Sequence, residues 1–196
     1  MRRTAGLWLL IGLAGYALLP WYMVAGGFWS FAWLAVFSSD ARSAVLWALA
    51  DRAWLFLPLI GFLGAGATLL LARAPLAMAR GLALSGSLGL VLMAFQGLVI
   101  LGRSTRFGLF EGTSQPGMGA GALVVAAALL FLLTTGIAGL GRGRGDAFIT
   151  GMIGAVVALV GVFVFYPMSF ILLRAFELKG GASFGVTEFL PRFFAG

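Results

Sequence analysis

AFITGMIGAVVALVGVFVFYPMSFILL, residues 147–173, contains no charged side chain. A hydrocarbon core about 30 Å thick needs roughly 20 apolar residues in helix, because lipid offers no partner to backbone N–H and C=O groups and a helix supplies its own. The stretch from Ala147 to Leu173 meets that length, carries a Tyr166-Pro167 step near its far end, and leaves through a mixed-charge tail, RAFELKGG. It reads as a transmembrane helix, and the same test applied along the chain sets the fold class.

Four further segments pass: Ala5 to about Met23, Trp54 to Leu71, Leu82 to Leu101, and about Gly119 to Leu140. Short arginine-containing breaks separate them, RAPLAMAR after the second, GRSTRFGLFEGTSQPG after the third and GRGRGD after the fourth. The composition agrees: 62% hydrophobic, 10% charged, mean hydropathy +1.08. Soluble domains carry about 25% charged residues. The expected fold class is all-α, a polytopic membrane protein of about five transmembrane helices, with an interfacial helical segment between the first two.

The chain has no cysteine and no histidine. That excludes disulfides, thiolate or imidazole metal ligands, and Cys or His nucleophiles. No enzyme, catalytic residue, metal site or cofactor is expected. The net charge of +7 does not point to nucleic acid, because the basic residues stand singly at the ends of apolar segments instead of on one polar face. Membrane orientation accounts for them better. All cations but Lys179 are arginine, beside abundant Gly and Ala, the composition of a GC-rich bacterial genome, so a bacterial inner membrane is the expected location.

Residues 24–52 admit two readings. FWSFAWLAVF is apolar but too short to span, and Trp29, Trp33, Trp47 and Trp54 suit an interfacial depth where an indole keeps its N–H wet. Ser39 then caps a helix with Asp40 in its first turn, and that helix runs on into the second span with Pro58 as a kink. The alternative is an irregular loop. The N-terminus also has two readings, since Arg2-Arg3, an apolar run and the small residues at Val24-Ala25-Gly26 fit a secretory signal peptide. The length of the apolar stretch and the Trp21-Tyr22 pair, read as an interfacial anchor, favour a membrane helix.

With the N-terminus in the cytoplasm, the inner segments hold Arg2, Arg3, Arg73, Arg80, Arg142 and Arg144 in very short stretches. The outer segments spread Arg42, Arg52, Arg103, Arg106, Arg174, Lys179 and Arg192 over a greater length. Density in short loops governs orientation, so the N-terminus is expected inside and, after five spans, the C-terminus outside.

Small residues recur four apart, which places them on one helix face and lets backbones approach. These are Gly61 and Ala65 in the second span, Gly81, Ser85 and Gly89 in the third, and Gly154 and Ala158 in the fifth. Helix packing is their expected role. Gln96, an amide near the outer end of the third span, is expected to make an interhelical hydrogen bond. Thr134 and Thr135 are expected to bond their own helix backbone. No Asp, Glu, Lys or Arg lies within a span interior on this reading, which disfavours a self-contained proton-driven carrier. Arg103, Arg106 and Glu111 read as solvated loop charges, and GLGRGRGD follows no strand and is no phosphate loop.

The passage VVALVGVFVFYPMSFILLRAFELKGGASFGVTEFLPRFF is similar to the opening of binding-protein-dependent ABC transporter permeases, especially the iron(III)-type branch. Those begin with a cytoplasm-to-outside helix ending in a hydrophobic-Tyr-Pro motif, then an amphipathic Arg/Ser-x-Phe segment, a Gly turn and an aromatic element. Tyr166-Pro167, Arg174 and Phe176, Gly180-Gly181 and Phe189 to Phe194 occupy those places. The resemblance covers about the last fifty residues and divides the chain into residues 1–146, a four-helix membrane extension, and 147–196, the first helix and outer tail of a permease-like domain. The family's EAA-type coupling loop is absent, so the chain is expected to be an incomplete permease portion. The resemblance implies import of a solute, and the branch alone implies iron(III). The implied partners are the lipid bilayer, an ATP-binding cassette ATPase, a second permease half and an extracytoplasmic solute-binding protein. The competing expectation is a small accessory or structural five-helix membrane protein without transport activity of its own.

Overall fold

The computed structural model describes residues 1–24, 41–50, 52–99, 117–141 and 147–161 with Val164 and Met168; for 97–99 and 147–148 only the backbone is described. Among the described residues six α-helices follow in order: α1 (Arg2–Leu18), α2 (Ala44–Ala50), α3 (Leu57–Leu71), α4 (Pro75–Val99), α5 (Ala120–Gly139) and α6 (Ala147–Val160). A 3-10 turn, Ala53–Phe56, leads into α3. The chain is mostly helical, and the described residues form no β-strand beyond two isolated antiparallel bridges.

Three helices are long and apolar enough to cross a membrane: Ala53–Leu71, Pro75–Gln96 and Ala120–Gly139. Two of them coincide within a residue with the second and fourth expected spans. The expected count of five is not reached among the described residues. The first expected span forms a 17-residue helix, α1, which stops at Leu18 instead of Met23. Leu19 is extended because Pro20 follows it, and the ring of a proline drives the preceding residue out of helical geometry. Of the fifth span, α6 is described over 14 residues.

Prolines account for the other boundary corrections. Pro58 lies in the first turn of α3, where its missing N–H is harmless, and does not kink the helix. The helix before it does not run on: Arg52 has φ −121° and ψ 58°, and its N–H closes α2 on the Trp47 carbonyl at 3.0 Å. Pro75 opens α4, so the expected break RAPLAMAR shrinks to residues 72–74 and the third span starts a full two turns before Leu82. Arg80 is therefore inside a spanning helix, contrary to the reading that no charge lies within one. Ser39, Asp40, Trp29 and Trp33 lie outside the described residues, as do the loop residues Arg103, Arg106 and Glu111.

Two compact units divide the chain, Met1–Met152 and Ile153–Gly196. In the first, α1, α3, α4 and α5 form an up-down bundle in which each helix packs antiparallel to its neighbours. Gly12 of α1 meets Phe62 of α3 and Ala128 of α5, and Arg2 reaches Ala72 at the far end of α3. The core between them holds Tyr16, Leu55, Phe62, Leu82, Leu129 and Leu132. Trp8 and Phe131 stack at 4.1 Å with planes 4° apart, filling the seam between α1 and α5. In the second unit, Ile153, Val156, Val157 and Val160 of α6 are exposed.

Candidate functional site

Lipid is as apolar as leucine, so helices in a membrane are held by close packing and hydrogen bonds and gain little from the hydrophobic effect. The α3/α4 seam shows how. A Cβ on Gly61 would stand 2.6 Å from Gly89 Cα and 2.9 Å from the Ser85 carbonyl oxygen, so the structure brings Gly61, Ser85 and Gly89 together. Gly81 faces Thr68, whose hydroxyl donates to the Gly64 carbonyl at 2.8 Å, and Ala65 is fully buried. On α6, Gly154 is half-buried and Ala158 exposed. Thr134 and Thr135 donate to the Phe131 carbonyl at 3.3 and 2.6 Å, satisfying themselves within α5 as expected.

The tightest seam escaped the spacing argument. On α4, a Cβ at Gly86 would stand 2.5 Å from Leu133 N and 2.8 Å from the Leu129 carbonyl oxygen. On α5, a Cβ at Gly136 would collide with Ala83 N and lie 2.7 Å from the Ala79 carbonyl oxygen. Gly86 meets the backbone of Leu129 and Leu133, and Gly136 that of Ala79 and Ala83, a small pair four apart on α4.

At the other end of the bundle, α1 runs out into an extended segment clamped on two sides. Trp21 N–H donates to the Arg42 carbonyl at 3.1 Å, and the Trp21 carbonyl accepts from Gly119 N–H at 2.8 Å. Met23 N–H donates to Gly117 and Gly121 N–H to Pro20, at 2.8 and 2.9 Å, so residues 20–23 tie α2 to the start of α5. Around this clip stands a group of rings. Trp21 and Tyr22 are buried within the protein instead of anchoring at the lipid interface, and Trp47 and Trp54 pack partly buried on the same core. Tyr22 meets Trp47 edge to face at 5.9 Å. The Arg52 guanidinium lies 4.6 Å from the Trp47 ring centre and 4.7 Å from that of Tyr22, and Arg42 lies 5.4 Å from Trp47. A cation held against a ring face gains roughly 0.5–2 kcal/mol, more as water is excluded.

Tyr16 joins this end to α3. Its buried hydroxyl donates to the Leu55 carbonyl at 2.9 Å, in the 3-10 turn. Tyr16→Phe removes that bond with little change of shape and is expected to lower stability by about 1 kcal/mol in equilibrium unfolding. A value indistinguishable from zero means water replaces the hydroxyl. Gln96 is 1% exposed, and among the described residues its Oε1 has no hydrogen-bond partner. Ser43 Oγ and Trp47 Nε1 are likewise buried without a partner among the described residues.

The arrangement holds chain segments together; among the described residues no group of His, Cys, Asp or Glu gathers to hold a metal. Of the permease-like motif, Tyr166, Pro167, Arg174 and Phe176 lie outside the described residues. Comparison with protein-family models, with curated proteins and with solved structures finds no match to this chain.

Proposed function

We propose that this chain is a membrane-spanning portion of an ABC transporter permease that imports a solute, iron(III) being the cargo its motif suggests, across a bacterial inner membrane. The observation that carries this reading is the uncharged run from Ala147 to Leu173 with Tyr166-Pro167 near its end and the Arg174, Phe176 and Gly180-Gly181 sequence after it. The arrangement of arginines supports the matching direction. Arg2, Arg3, Arg73 and Arg80 all belong to the bundle end where α1 starts, which favours that end as the cytoplasmic one. In this reading the bundle is a scaffold beside the transport path, and the ATPase, the second permease half and the binding protein supply energy and cargo.

A second reading, an accessory or structural membrane protein, is favoured by a different observation. The glycine seams Gly61/Gly89 and Gly86/Gly136 are already filled by neighbouring helices of the same chain. One experiment separates the two. The tagged chain, expressed in its native cells, is expected to copurify with an ATP-binding cassette subunit, and deletion of its gene is expected to abolish ATP-dependent uptake of labelled iron(III). Unchanged uptake with no nucleotide-binding subunit in the purified material overturns the permease reading and leaves the accessory one.

A further inference from the structure

One end of the bundle gathers cations that no acidic side chain among the described residues neutralises. Arg2 Nη2 donates to the Ala72 carbonyl at 2.8 Å, which sets the start of α1 beside Arg73. Gly139 at the end of α5 lies under Met1 and Ala79: a Cβ there would be 2.5 Å from Met1 Sδ and 2.9 Å from Ala79 Cβ. Four helix ends therefore meet around Arg2, Arg3, Arg73 and Arg80, all exposed. No aspartate or glutamate occurs among the described residues and neither α1 nor α4 carries an acid in its first turn, so here only the carbonyl ends of α3 and α5 offset the cations.

Arg80 is the informative member. Ala79 and Leu82 turn into the protein, whereas Leu76, Leu84 and Val91 are exposed, and Arg80 shares their outward stripe. It lies five residues past Pro75, roughly 7.5 Å along the axis at 1.5 Å per residue. A guanidinium with leucines before and after it on a lipid-facing stripe is costly unless it reaches an anion, and its long stem lets the head snorkel to one at headgroup level. At the opposite end Arg42 and Arg52 rest on aromatic faces. Arg73 and Arg80 have no such ring among the described residues.

We propose that this end of the bundle binds anionic phospholipids, Arg73 and Arg80 contacting the headgroup phosphates while Leu76 and Leu84 lie along the acyl chains. The partner is a lipid surface, and this binding requires no transport role. The test is native mass spectrometry of the full chain released from nanodiscs of equal parts phosphatidylglycerol and phosphatidylcholine. The wild type is expected to retain phosphatidylglycerol over phosphatidylcholine by about fivefold or more, the scale set by one arginine at an anionic surface. R73Q/R80Q is expected to bring the ratio close to one without lowering thermal stability, and R73K/R80K, which keeps the charge, to preserve most of it. Equal retention of the two lipids by the wild type overturns the proposal, and is the result if these arginines serve an acidic protein surface. A preference that survives R73Q/R80Q overturns it equally.

Discussion

Gly136→Leu is expected to destabilise the bundle by about 3 kcal/mol or more, at the upper end of what overpacking costs. The α4 backbone occupies the place of a side chain at this position: even a Cβ would collide with Ala83 N and sit 2.8 Å from Ala83 Cα. Neither partner is the end of a flexible side chain, so relief requires the two helices to move apart. In lipid that separation forfeits the dispersion contacts of the whole seam, with no gain in hydrophobic burial to offset it. Gly86→Leu pushes on the same seam from the other helix, against Leu133 N and the Leu129 carbonyl. Because both substitutions force one displacement, the double variant is expected to cost clearly less than the sum of the singles. Gly6→Ala is the control. No atom lies within 4 Å of a Cβ there, so removal of a helical glycine is expected to raise stability by about 0.5–1 kcal/mol. Unfolding in mixed micelles measures all four. A Gly136→Leu chain within 1 kcal/mol of wild type, on the scale at which surface changes fall, rules out the seam as a backbone contact.

Where the chain is uniformly apolar, its helices were legible almost to the residue. Trp54 to Leu71 and Gly119 to Leu140 are bounded by arginine or glycine and contain nothing ambiguous, and the helices are Ala53–Leu71 and Ala120–Gly139. The misplaced boundaries are at prolines. Pro20, Pro58 and Pro75 look alike in sequence, yet one follows a helix and two begin one, and the distinction depends on whether the preceding residues are helical. Spacing of four picked out Gly61, Ser85 and Gly89 because there small residues face small residues. It passed over Gly86 and Gly136, because each is flanked at that spacing by leucine. The clip left no trace at all. Trp21, Arg42 and Gly119 are far apart in the chain and are joined by main-chain hydrogen bonds, which carry no side-chain pattern.

That clip gives the other large effect. Trp21→Ala is expected to cost about 3–5 kcal/mol, the range for removing a buried tryptophan. Trp21 is fully buried and stands edge-on to Tyr16, with ring centres 6.0 Å apart at 73°. Its backbone donates to Arg42 and accepts from Gly119, so the side chain sits over a point where α1, α2 and α5 are tied. The void left by alanine would loosen the packing that excludes water from those hydrogen bonds. Arg52 and Trp47 both contact the ring of Tyr22, the next residue, so the loss is expected to spread through this end of the bundle. Gly61 lies six residues past Leu55, fewer than two helical turns, and the α3/α4 seam there has contacts of its own. Hydrogen exchange distinguishes local from global loosening. The amides of Trp21, Met23 and Gly119 are expected to lose protection in Trp21→Ala while those around Gly61 and Gly89 change little. Trp21→Phe, which keeps most of the volume, is expected to restore more than half of the loss. Leu70→Ala, at an exposed leucine, is expected to cost under about 1 kcal/mol. If Trp21→Ala and Leu70→Ala prove equally mild, the clip does not hold this end together, and α2 must be retained by the apolar contacts of Ala44 and Ala48 alone.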